Sequence, residues 1–255
     1  MIQPTLIFGA ALSTLSASIY YYVGRVLSRR RVASPDARLA WMLFVAWWYA
    51  LGTTTLIGAV LSLLGAFNIA GLPLFITLTQ VNLLALCIAL YGLMYYLLYL
   101  FTGSRRLLLP LTLFYIAYYI LIVYYVHSRI PVGVTVGRWN ATLQYAQDPG
   151  GPLFLVALLL LIFPQVIGSL AYFTLYFRVR TTTQKYRILL VSWSIIIWFL
   201  SSFLASIAGL STQDWWQVTS RLIGLFASLA ILLAYDPLPW IRRWLGVNSI
   251  VEEPA

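Results

Sequence analysis

Few side chains in this sequence could do chemistry. There are six carboxylates, one histidine (His127), one cysteine (Cys87) and one lysine (Lys185), and arginine makes up the rest of the sixteen basic residues. Zinc needs clustered His, Cys and carboxylate ligands, and no such cluster occurs. A b-type haem takes two axial histidines, whereas His127 stands alone at the end of an apolar run. A retinal Schiff base needs a lysine in mid-helix, and Lys185 lies between two apolar runs. Neither two buried aspartates nor a buried Ser–His pair is present for intramembrane proteolysis, and proton-coupled transport lacks its midplane Asp or Glu. The sequence therefore reads as a non-enzyme, with no catalytic residue, metal or cofactor.

The elements that must carry these residues follow from composition. Hydrophobic residues make up 62% of the chain and charged residues 9%, and the mean hydropathy is +0.90. A soluble domain carries about 25% charged residues, so this chain predicts a lipid bilayer as its surroundings. Barrel strands are about 10 residues of alternating polarity, while the apolar runs here are about twice as long or more. Seven helical spans are predicted, at 4–25, 39–65, 73–101, 108–127, 152–177, 187–209 and 217–235. The fold class is all-α: a polytopic seven-helix bundle over 1–236, followed by a cytoplasmic amphipathic helix and tail over 237–255. The shallowest break is 66–72, where Asn68 is the one strongly polar residue and Gly65, Gly71 and Pro73 punctuate the run.

Basic residues set the orientation. Arg25, Arg29, Arg30, Arg31, Arg38, Arg105, Arg106, Arg178, Arg180, Lys185, Arg187, Arg242 and Arg243 fall on one side, and Arg129 and Arg138 on the other. The N-terminus is placed outside and the C-terminus inside, in a multi-pass protein of the cell (inner) membrane. Positive charge follows the first run, so 4–25 reads as a retained helix and not a cleaved leader. The net charge of +10 is a topology signal with attraction to anionic lipid as a by-product, and no nucleic-acid partner is implied.

Between helices four and five, 127–152 is the longest loop. Residues 130–137 and 138–145 alternate β-formers around Gly137, which predicts a short external hairpin. It reads either as a lid over a ligand pocket or as a plain interfacial cap. Asn140-Ala-Thr142 also fits a glycosylation acceptor, a pattern of three residues only. After the seventh helix, Asp236-Pro-Leu-Pro239 should end the span. Trp240, Arg242, Arg243 and Trp244 then form an interfacial membrane anchor or a partner-docking site. Tyrosines such as Tyr95, Tyr96 and Tyr99 read as interfacial belts, while Trp47, Trp48 and Trp198 fall deeper and should face protein or a cavity.

Arg221 is the one charge within an apolar span, four residues after Gln217 and so roughly 6 Å into the outer leaflet. One reading has it snorkel to the interface beside Asp214; the other has it bind an anion or gate the bundle. Candidate ligand-binding residues are Arg221, Gln80, Asn82, Gln165, Trp198, Thr54 and Ser202, lining a polar pocket beneath the 127–152 loop. The bland alternative is that the neutral ones bond neighbouring helices at about 1 kcal/mol each.

Seven helices, an outside N-terminus, the loop at 127–152 and the inner helix at Trp240–Leu245 together resemble the receptor-like seven-helix layout. Its bacterial form is the sensor region found ahead of some histidine kinases. The resemblance is one of topology, and it implies a non-enzymatic sensor working through a protein partner at the cytoplasmic side or in the membrane. Pro164-Gln165 in the fifth helix is similar to the dipeptide of PQ-loop sugar-transporter-like proteins, which implies small neutral-solute transport; helix one lacks the matching dipeptide. A third reading is a structural subunit of a larger membrane complex. The orientation has a direct check. Cysteine at Ser34 or Thr182 should resist an impermeant thiol reagent in intact cells, while cysteine at Thr142 or Thr212 should react.

Overall fold

A backbone in hydrocarbon has no water to bond, so each apolar run must satisfy its own N–H and C=O groups as a helix. The computed structural model describes residues 3–30, 34–69, 71–146, 152–207 and 214–246, with the backbone alone at 36, 152–155, 157–158, 160–165, 198–207 and 214. It is mostly helical: α1 (Pro4–Ser28), α2 (Pro35–Ala66), α3 (Leu72–Thr102), a 3₁₀ turn (Arg105–Leu107), α4 (Leu108–Ser128), strands β1 (Pro131–Val136) and β2 (Ala141–Tyr145), α5 (Pro152–Arg178), α6 (Thr182–Ile207), α7 (Asp214–Tyr235) and α8 (Pro239–Leu245). Among the described residues five helices are long and apolar enough to cross a membrane: Pro4–Ser28, Ala37–Ala66, Leu72–Thr102, Arg105–Ser128 and Trp215–Tyr235.

The helices overrun the apolar runs at their polar ends. The run predicted from 187 begins as α6 at Thr182, taking in Lys185, and the run from 39 begins as α2 at Pro35. Hydropathy marks only the stretch suited to lipid, whereas helical hydrogen bonding continues until a residue stops it. Proline supplies several starts, at the first turns of α1, α2, α3 and α8, where its missing N–H would have had no intrahelical partner. The break after α2 is made by Asn68 at φ 60°. Asn is one of the few residues that enter the left-handed region readily.

Neighbouring helices form a ring: α1 packs on α2, α2 on α3, α3 on α5, α5 on α6, α6 on α7, and α7 returns to α1. Outside this ring, α4 leans on α3 and α5. Its outer stripe of Leu109, Leu113, Ile116 and Ile120 is exposed. In water such a stripe would be a liability; against lipid tails it is the required surface.

The α1–α2–α3 side holds most of the aromatic core. Trp47 and Trp48 are almost wholly buried, with ring centroids 4.0 Å apart, and Phe44 stacks on Tyr96 at 4.2 Å. Trp48 makes no hydrogen bond through Nε1 among the described residues; Tyr20 and Tyr235 cover its ring instead. The third deep tryptophan, Trp198, has its side chain outside the described residues.

β1 and β2 pair antiparallel, with a register shift between Pro131 and Gly133. The turn spans Gly137 to Asn140, closed by the Gly137 N–H on the Asn140 carbonyl at 2.8 Å. Arg138 and Trp139 thus belong to the turn, and the second strand starts at Ala141. The hairpin rests on the ends of α1, α2 and α3. Thr5 bonds the Arg138 carbonyl, Trp139 meets Phe8 edge-on, and Ala141 sits against Gly65 near the end of α2. At its base the Arg129 guanidinium lies 3.8 Å from the centroid of the Tyr145 ring. Burial pushes the Tyr145 phenol up, and Arg129 opposes that rise by favouring the phenolate.

The seam between α2 and α3 is tight at Gly92, where a Cβ would overlap the Leu43 carbonyl oxygen and press on Trp47. Backbone cannot yield as a side-chain tip can. Gly92→Ala should therefore lower stability by about 1–3 kcal/mol. Gly58, which has open space around its Cα, should tolerate alanine with no loss or a gain of up to about 1 kcal/mol. Detergent melting temperatures of the two variants check this.

Candidate functional site

Arg221 lies on the third turn of α7 and turns sideways into the seam with α1 and α2. Its Nη2 donates to Ser62 Oγ at 3.2 Å, and Ser62 Oγ in turn donates to the Gly58 carbonyl at 2.9 Å. Gly9 of α1 backs the guanidinium so closely that a Cβ there would coincide with it. Gly9 is the sixth residue of α1 and Ser62 the fifth from the end of α2, so the charge stays at helix-interior depth. Asp214, the partner expected for a snorkelling arginine, has its side chain outside the described residues.

Among the described residues the electrostatics of this seam are unbalanced. A guanidinium carries five N–H donors. One is met by Ser62, while Nη1 is buried and has no hydrogen-bond partner among the described residues. Holding arginine at the centre of a bilayer costs about 2.5–3.5 kcal/mol on insertion scales and less nearer the interface, while a hydrogen bond to a charged group returns about 1.5–3 kcal/mol. The seam is thus built around a cation with donor capacity left over, close under the hairpin that packs on Gly65. Such a site can accept an oxyanion or a carbonyl.

The other candidates with described side chains do not gather around Arg221. The Gln80 amide nitrogen meets His127 Nε2 at 2.6 Å, fastening α3 to α4. Asn82 is half-buried, and its Oδ1 is buried with no hydrogen-bond partner among the described residues. The Thr54 hydroxyl donates to Ala50 of its own helix at 3.0 Å, so its polarity is spent locally. Gln165, Trp198 and Ser202 have side chains outside the described residues. Arg221 and Gln80 therefore occupy different seams, where the sequence grouped them under one loop. Gly9 and Ser62 escaped sequence reasoning because a glycine and a serine inside apolar helices carry no sign of what faces them. Helix adjacency was the missing information.

At the other end, α8 buries Ile241 and Leu245 and exposes Trp240 and Trp244. Arg242 pairs with Asp236 and donates through Nε to the Pro237 carbonyl at 2.8 Å. Tyr22 of α1 also donates to Asp236, at 2.9 Å. Arg243 points away, exposed. The segment drawn from 237 onward is therefore packed onto the bundle at its start.

Gly9→Ala should push the guanidinium off Ser62, costing about 1.5–3 kcal/mol for a bond to a charged group. With Arg221→Leu already in place, the same change should cost little, and the difference read from a double-mutant cycle in detergent should exceed about 0.5 kcal/mol. No protein-family model matches this chain, and no curated protein matches it.

Proposed function

We propose that the chain is a seven-helix, multi-pass protein of the cell membrane, N-terminus outside and C-terminus inside, that acts as a sensor or receptor through a partner protein. The observation that carries this reading is Arg221, held at depth between α1, α2 and α7 with Nη1 lacking a hydrogen-bond partner among the described residues. A small anionic or carbonyl-bearing ligand entering beneath the hairpin would satisfy Nη1 and draw α7 against α1 and α2. The far end of α7 runs into Asp236, which joins Tyr22 of α1 to Arg242 of α8. A shift of α7 is thereby delivered to the inner face, where α8 presents Trp240, Arg243 and Trp244. The scarcity of acid–base and metal-binding groups supports signalling by shape and not by chemistry.

Thermal stability in detergent, read against a panel of acetate, malonate and phosphate, tests the reading. At least one anion should raise the melting temperature of the wild-type chain. The rise should shrink in Arg221→Lys, whose point charge lacks the planar two-pronged donor geometry, and vanish in Arg221→Leu. Saturable uptake of a small neutral solute into reconstituted vesicles, abolished by Asn82→Leu, would overturn the sensor in favour of a transporter.

A further inference from the structure

The ring of helices encloses a second space, at the end opposite the hairpin. This vestibule has a volume of about 370 Å³, within the range of about 300–1,000 Å³ usual for ligand pockets, and takes its walls from α2, α3, α5, α6 and α7. Two guanidiniums face it from different elements, Arg30 just past α1 and Arg187 in the second turn of α6. Among the described residues that line it there is no carboxylate; the remaining wall is mainly aromatic and aliphatic, with Trp41, Tyr96 and Tyr172 prominent. Trp41 is fixed by its Nε1 donating to the Leu27 carbonyl at 3.1 Å, and the Arg30 guanidinium lies 5.9 Å from the centroid of its ring. The lining also reaches Leu100, which is exposed on α3, where Arg178 of α5 stands over the neighbouring Phe101 ring.

We propose that this vestibule binds the phosphodiester headgroup of an anionic lipid, drawn from the surrounding leaflet with its acyl chains along the α3–α5 side. Arginine pairs with phosphate oxygens two at a time, which two guanidiniums reaching one pocket from separate elements can exploit. Basic pockets between membrane helices on the cytoplasmic side suit such headgroups, and the basic residues concentrated at this end raise the local concentration of anionic lipid. Aromatic and aliphatic walls suit the glycerol and upper acyl carbons that follow the phosphate. The vestibule is separate from the Arg221 seam and stands whether or not that seam binds a ligand.

The test uses the full chain in detergent with dioleoyl phosphatidylglycerol, dioleoyl phosphatidylcholine or inorganic phosphate added. Phosphatidylglycerol should raise the melting temperature and phosphatidylcholine should not. The apparent affinity for phosphatidylglycerol should fall at least tenfold in the double variant Arg30→Gln with Arg187→Gln. It should hold in Arg106→Gln with Arg180→Gln, which removes two exposed charges from the same end outside the vestibule. Equal loss in both double variants would reduce the effect to surface charge and overturn the site. An equal response to phosphate alone would make the anion a soluble one and overturn the lipid. If the vestibule variant does not fold, native mass spectrometry of the wild-type chain from mixed-lipid nanodiscs decides. One retained phosphatidylglycerol supports the site, and retention in proportion to the mixture overturns it.

Discussion

The absence of hydrogen-bonding solvent in a bilayer governs nearly every feature of this chain. Helices form wherever the sequence runs apolar, and polar side chains inside them turn to the nearest carbonyl. Thr14, Thr54, Thr55, Ser62 and Ser194 all donate to the residue four positions earlier. Such bonds satisfy a hydroxyl's donor without needing a neighbouring helix. Arg221 cannot do the same. Its donors are too many and too far from its own backbone, so it must reach another helix, and the α1–α2–α7 seam is shaped around that need by Gly9 and Ser62.

Helix existence was legible from hydropathy because each run is long and its interruptions are polar or turn-forming. The helix ends were less so: α6 begins at Thr182 and α2 at Pro35, since a helix does not stop where lipid stops. Even the thinnest break, at 66–72, was legible, because Asn and Gly supply the backbone freedom that the α2–α3 turn uses at Asn68. The ring order was not legible. Apolarity on nearly every face of a membrane helix hides which face meets protein, so the small-residue positions Gly9, Gly65 and Gly92 gained meaning only from what stands opposite each one.

The same limit applies to the sites. Charge at depth singled out Arg221, but its partners had to come from three-dimensional adjacency. Gln80 was grouped with it by depth alone and instead bonds His127 on another seam. The vestibule was hidden for a different reason. Arg30 and Arg187 were explained fully by the orientation rule, and Tyr96 by the interfacial belt, so nothing in the sequence asked whether these residues also face one another.

Closing the ring through α1 and α7 has a consequence for how the protein is made. α1 and α7 are neighbours, with the Arg221 guanidinium lying against Gly9 at one end and Tyr22 bonded to Asp236 at the other. During synthesis α1 must wait, its notch at Gly9 unfilled, until α7 has been made. Loop-closure entropy makes so distant a contact slow to form, and it can form only after α2 has placed Ser62 beside the notch. Arg221 thus arrives after both helices that form its groove have been made. The order of translation spares the growing chain a long period with a buried, unaccompanied cation.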